Sequence, residues 1–222
     1  MSLLGQTAAL VRSELRSELR AGEVLFVIVP FGAIALLLVP MAIGTDAPLL
    51  ARLGPGLYWV VVLLFGVLVT QRQTAIVGRA QRDLLRLLGV DPAARFFATA
   101  ATATVLLLAF ETVVGVVAIV LYGSDLGDAV WLIAVLPLVA AGLAMVGTLA
   151  GSIAVELGQR SSLAPLLVAP LAIPILLGAA QANDGLLQRE SILGWLAVLL
   201  ITDLVIALVG VLSARPLEET VT

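Results

Sequence analysis

Three residue types are missing from this 222-residue chain: there is no cysteine, no histidine and no lysine, all twelve basic residues being arginine. The lack of cysteine excludes disulfides, iron–sulfur clusters and thiol chemistry. The lack of histidine removes the commonest metal and haem ligand and the commonest general base. It also rules out Ser-His and Cys-His nucleophile pairs, so nothing marks the chain as an enzyme. A P-loop needs its lysine on the nucleotide phosphates, so a standard ATPase site cannot be built here. If ATP drives this protein, another subunit binds it. Charge of either sign is also scarce, at 12% of residues against about 25% in a soluble domain. The net charge of −3 therefore says little about partners, and no nucleic-acid surface is expected.

What fills the chain is apolar: 61% of residues are hydrophobic. A bilayer-spanning helix needs about 20 such residues in a row, and the sequence offers six runs. They are Val24 to Ile43, Leu57 to about Thr70 with a helical continuation towards Val77, Phe96 to Leu121, Val130 to Val155, Leu163 to Ala180 and Ile192 to Ser213. The connectors "GTDAPLLARLGPG", "YGSDLGD", "ELGQRSS" and "QANDGLLQRE" carry the usual loop residues. The expected fold is all-α, a single transmembrane domain over residues 1–222 with six membrane helices. No signal peptide is expected, because the first run follows a long charged helix.

Arginine orients it. With the N-terminus in the cytoplasm, the inner segments hold Arg12, Arg16, Arg20, Arg72, Arg79, Arg82, Arg86, Arg95, Arg160 and Arg215, and the outer loops only Arg52 and Arg189. That bias follows the positive-inside rule and puts both termini in the cytoplasm. Tyr58, Trp59, Tyr122, Trp131 and Trp195 fall near the outer ends of their runs, where amphipathic rings favour the headgroup level.

Two amphipathic stretches lie outside the runs. In residues 1–23, Leu4, Ala8, Val11, Leu15 and Leu19 form one stripe at helical spacing. Arg12, Arg16 and Arg20 flank it on one side, Glu14 and Glu18 on the other, and Glu23 closes the segment. This pattern suits a helix lying in the inner membrane interface against lipid; the blander reading is a short solvated helix. In residues 78–90, Arg79, Asp83 and Arg86 can pair along one face. Arg82 adds charge, and Leu84, Leu87 and Leu88 share another face. Gly89 is a good helix stop, and Asp91-Pro92 reads as an N-cap with proline at the first helical position. Periodicity alone makes this a connector anchored to lipid.

Inside the runs, Glu111 and Asp203 fall mid-span. An ionised carboxylate there costs at least ~2.5 kcal/mol on insertion scales. Each should face the bundle interior, a water-filled path or a partner, and with no arginine at matching depth the protonated form is expected. A polar lining for a translocation path and a hydrogen-bonded staple fit equally. Pro170 and Pro174, one turn apart in the fifth run and followed by Gly178, should bend or locally unwind that helix. Gly147 and Gly151 form a small-xxx-small pair suited to close helix packing.

"LLARLGPGLYWVVVLLFGVLV" (49–69), "PLAIPILLG" (170–178) and "VRSELRSELRAGE" (11–23) resemble the second span, proline-paired fifth span and entry helix of the haem exporter protein B family. That family supplies the permease of the cytochrome c maturation ABC transporter. The resemblance implies an ABC-2-type permease half in the bacterial inner membrane. It would work with a separate cytoplasmic ATPase subunit, a second permease copy or half and other cytochrome c maturation membrane subunits, in delivering haem. It implies a coupling helix at 78–90, with Arg79, Arg82, Asp83, Arg86, Leu87 and Asp91 facing the ATPase. Pro170, Pro174 and Gly178 match the family's fifth span and, with the mid-span acids Glu111 and Asp203 read from the residues, are the candidates for gating or translocation. Two departures stand beside it. The loop "RQTAIVGRAQRD" (72–83) is basic where the family's is usually acidic, and "ATAATATVLLL" has no histidine where the family often has one. The remaining candidate iron ligands, Met41, Met145, Tyr58 and Tyr122, are scattered, so haem is expected as substrate, with no strong axial ligand and no resident cofactor or metal in this chain.

Two other readings stay open: an ABC-2 permease for another lipid-like substrate, and a proton-coupled carrier or membrane scaffold. An internal repeat, usual in carriers, is not evident between the two halves.

Overall fold

The chain begins with a capped helix. The Ser2 hydroxyl accepts a hydrogen bond from the Gly5 N–H at 3.3 Å and starts α1, Leu3–Ala21. Gly22 ends it in the left-handed conformation at φ 67°, where a side chain would also meet the Phe26 ring. The computed structural model describes residues 2–44, 46–76, 84–85, 87–123, 129–156, 163–188 and 190–214. All regular structure among them is helical.

After α1 comes a π-helical turn, Val24–Ile28, in which the Val29 N–H reaches back to the Val24 carbonyl. Pro30, which has no N–H to keep an α ladder in register, follows directly. Helix α2 (Val29–Ile43) continues from it, then α3 (Ala47–Ile76), α4 (Pro92–Tyr122), α5 (Ala129–Glu156), α6 (Leu163–Leu187) and α7 (Leu193–Ala214).

Five segments among the described residues are long and apolar enough to cross a membrane: Phe26–Ile43, Ala47–Gln73, Pro92–Tyr122, Ile133–Ala154 and Leu193–Ala214. The fifth run of the sequence forms the 25-residue α6. Helix α5 is the centre of the bundle and packs on α3, α4, α6 and α7. Its span is 61% buried within the chain, against 17% for α7 at the periphery. The small residues of α5 allow this: a Cβ on Gly147 would run into the Thr70 side chain of α3, so the two helices meet backbone to side chain there. Gly151 is buried on the same helix.

The helices differ from the sequence expectation at three places. "APLLARLGPG", read as loop, is the first part of α3, with Pro55 inside the helix. "QAND", also read as loop, is helical to Leu187. Helix α6 runs unbroken through Pro170 and Pro174, so the alternative of local unwinding is set aside: each proline removes only its own hydrogen bond, and the neighbouring bonds carry the helix across. By contrast Gly89, at φ 69°, and the Asp91–Pro92 start of α4 are found where the sequence places them. The Asp91 carboxylate accepts the Ala93 N–H at 2.8 Å.

Candidate functional site

Two polar constellations stand out, one at each end of α3. Arg72 and Gly54 lie 18 residues apart on that helix, about 27 Å at 1.5 Å per residue.

The first surrounds Glu18, which is only 3% exposed. Its carboxylate takes the Arg72 Nε at 3.2 Å, the Gln73 Nε2 at 3.3 Å and the Val24 backbone N–H at 3.4 Å. Arg72 also pairs through its Nη1 with Glu23. A buried carboxylate with a counter-charge and further donors is a satisfied one. On the neighbouring face α1 runs beside the first turns of α4 in the same direction. Gln6 accepts the Asp91 N–H at 3.0 Å, Thr7 Oγ1 donates to the Ala94 carbonyl at 3.5 Å, and Thr99 Oγ1 donates to Glu14 at 3.3 Å. Burial pushes the Glu14 carboxyl above its ordinary range, against the opposing pull of the Thr102 and Thr99 hydroxyls beside it. Helix α1 is thus tied to both stems of the α3–α4 connection, the C-terminal turn of α3 and the N-terminal turns of α4.

This corrects one feature of the entry helix. Its acids do not both flank a lipid-facing stripe: Glu18 is buried and Glu14 half-buried against the protein, because α3 and α4 supply donors there. Arg12, Arg16 and Arg20 are exposed, as are Leu4 and Leu19, while Leu15 packs on the core. Of the 78–90 stretch, Arg79, Arg82, Asp83 and Arg86 lie outside the described residues. Leu84, Leu87 and Leu88 are exposed, and Asp91 is committed to capping α4.

The second constellation is a cavity of about 200 Å³ between α3, α4, α5 and α6. Tyr58, Trp59, Tyr122, Gly115 and Glu111 line it, with Asn183 from α6. Tyr58, Trp59 and Tyr122, expected near the outer ends of their runs, are all buried within the chain. The two tyrosine hydroxyls find partners inside the bundle. Tyr58 Oη donates to the Glu111 carbonyl at 3.0 Å and Tyr122 Oη to the Leu36 carbonyl at 2.9 Å, so each ring turns inward to a backbone acceptor. Trp195 is partly buried against the core. Glu111 is fully buried, and neither carboxylate oxygen has a hydrogen-bond partner among the described residues.

The other mid-span acid, Asp203 on α7, is elsewhere. It is 6% exposed and its oxygens likewise lack a partner among the described residues. It lies against Gly142 of α5, where a Cβ would collide with Asp203 Oδ1 and with Ile175 of α6. Pro170 and Pro174 are exposed on α6, and Gly178 is buried against Leu199 of α7. Asp203 of α7 thus lies alongside the Pro174–Gly178 part of α6, while Glu111 lines the cavity. Of the candidate iron ligands, Met41 is exposed, and Tyr58 and Tyr122 line the same cavity with their hydroxyls donated to carbonyls. No cluster of acids suited to a metal occurs among the described residues. The sequence reading missed the Glu18–Arg72–Gln73 contact and the cavity wall, since both join residues more than 50 positions apart. The one available signal was the unneutralised acid in a greasy run.

Long apolar helices, a small-residue core and polar groups folded inwards define a multi-pass α-helical membrane protein. Comparison with known proteins narrows this. The profile of the CcmB protein family matches residues 6–216, and the chain belongs to that family. It is similar to Heme exporter protein B of Bradyrhizobium diazoefficiens, with 30% identity over 185 residues, covering 81% of this chain and 82% of that protein. It is similar also to Heme exporter protein B of Paracoccus denitrificans, with 32% identity over 180 residues, covering 78% and 80%.

Proposed function

We propose that this chain is the permease subunit of an ATP-driven ABC-2-type exporter that serves haem delivery to c-type cytochromes. In this reading it crosses the bacterial inner membrane six times, α6 included, with α1 at the inner interface and both termini in the cytoplasm. ATP is hydrolysed by a separate subunit, since no lysine is present for a P-loop. Other cytochrome c maturation membrane subunits and a second permease copy complete the assembly.

The observation that carries the coupling part is the double attachment of α1. A helix fastened at Glu18 to the end of α3 and at Gln6 and Glu14 to the start of α4 must respond when the 78–90 segment between those stems is pushed. That segment, with Arg79, Arg82, Asp83, Arg86 and Leu87, is the surface we assign to the ATPase. Family membership and the names of the two relatives support haem as the cargo. Glu111, Asp203 and the Pro170–Pro174–Gly178 stretch are assigned to the moving, polar interior rather than to iron ligation.

Replacing Arg82, Asp83 and Arg86 together by alanine in the intact complex is expected to release the ATPase subunit on co-purification, with the permease still folded. Covalent haem staining of c-type cytochromes should disappear with it. An ATPase that still co-purifies would overturn the docking surface. Normal haem staining after deletion of the whole chain would overturn haem delivery and favour another lipid-like cargo.

A further inference from the structure

The cavity beside Glu111 has a chemistry of its own. Every hydroxyl in its wall is already committed: Tyr58 Oη to the Glu111 carbonyl, Tyr122 Oη to the Leu36 carbonyl and Thr112 Oγ1 to the Leu108 carbonyl. No arginine lines it among the described residues. The described wall therefore offers aromatic and aliphatic surface, the side chain of Asn183 and Glu111, whose fully buried carboxyl oxygens accept from nothing among the described residues. A carboxyl at such depth ionises only beside a counter-charge that also brings donors, as an ammonium would, and rings beside it favour a cation.

We propose that this cavity binds a small protonated amine carried on an apolar body. The ammonium sits at Glu111 and the apolar part lies against Tyr58, Trp59 and the bare backbone of Gly115. Size limits the ligand. Drug-sized pockets run to roughly 300–1,000 Å³ and a dry cavity of about 150 Å³ takes benzene, so 200 Å³ suits one ring with a short aminoalkyl arm. Gly115 lines the cavity beside the Tyr58 ring, which an added Cβ would meet at 3.7 Å, in ordinary contact. The proposal does not depend on the ATPase or on haem.

The test uses the full chain in phosphatidylcholine nanodiscs with Trp131 and Trp195 replaced by phenylalanine, so that Trp59 reports alone. Phenethylamine at neutral pH should change the Trp59 emission saturably. Propylbenzene, the same shape without the charge, should bind at least about tenfold more weakly. Glu111→Gln should cost the amine at least about tenfold and leave propylbenzene unchanged. Gly115→Leu, which fills the cavity and keeps the acid, should abolish both responses; it also decides the matter if Glu111→Gln fails to fold. Equal binding of amine and hydrocarbon, or amine binding that survives the Gly115→Leu change, would overturn the site.

Discussion

Glu18 and Glu111 are the same residue type at nearly the same burial, 3% and 0% exposed, yet their surroundings are opposite. Glu18 has Arg72, Gln73 and a backbone N–H around it. Glu111 has hydroxyls within its cavity, all of them turned to carbonyls. The difference follows from position. At the Arg72 end, α1 folds back on the bundle and polar residues from α1 and α3 meet. At mid-helix every backbone N–H is spent in the α ladder, and few side chains remain to donate. A satisfied buried acid fastens structure; Glu111 has no such partner among the described residues.

The largest expected effect breaks the satisfied side. Arg72→Met strands Glu18 without a counter-charge, and loss of one partner of a buried pair costs about 3 kcal/mol or more. At roughly 2–4 °C per kcal/mol for a chain of this size, the Tm in nanodiscs should fall by roughly 6–12 °C. A fall within about 1 °C would mean that the contact contributes nothing. The opposite change, Glu111→Leu, removes an acid without a hydrogen-bond partner among the described residues and should leave Tm unchanged or raise it by the equivalent of about 1 kcal/mol. A drop as large as that of Arg72→Met would erase the distinction between the two acids.

Glu14 is the intermediate case, half-buried with one threonine bond, and gives the smallest effect. Its carboxyl is held above the ordinary 4.5 by burial, so the folded state keeps the proton more tightly than the unfolded one. Stability from this group is present in full below about pH 4.5 and is lost as pH rises through the higher folded value. Glu14→Gln should flatten that decline in Tm just above pH 4.5, while Glu23→Gln, an exposed position, should leave it in place.

Much of the fold is legible in the residues. Apolar runs mark five helices with membrane-spanning length and composition, and Asp91-Pro92 starts α4 because an aspartate cap and a proline first turn allow little else. The polarity of the Glu111 position is legible too, as an acid that needs an interior. Loop chemistry misled at "GTDAPLLARLGPG" and "QAND", where packing holds Gly54 against Tyr122 and keeps helical a stretch that composition alone would break.

The sequence by itself determined that this protein lives among helices in a bilayer, carries no thiol, imidazole or lysine chemistry, and belongs with the family its profile matches. Local periodicity and composition suffice for that, since both act over a few turns of chain. Only the tertiary structure decided which buried acid is neutralised and which is not, that α1 grips both stems of the α3–α4 connection, and that Tyr58, Trp59 and Tyr122 turn in to line a cavity. Each of those depends on donors and acceptors brought together from more than 50 residues apart, and no local pattern encodes such a meeting.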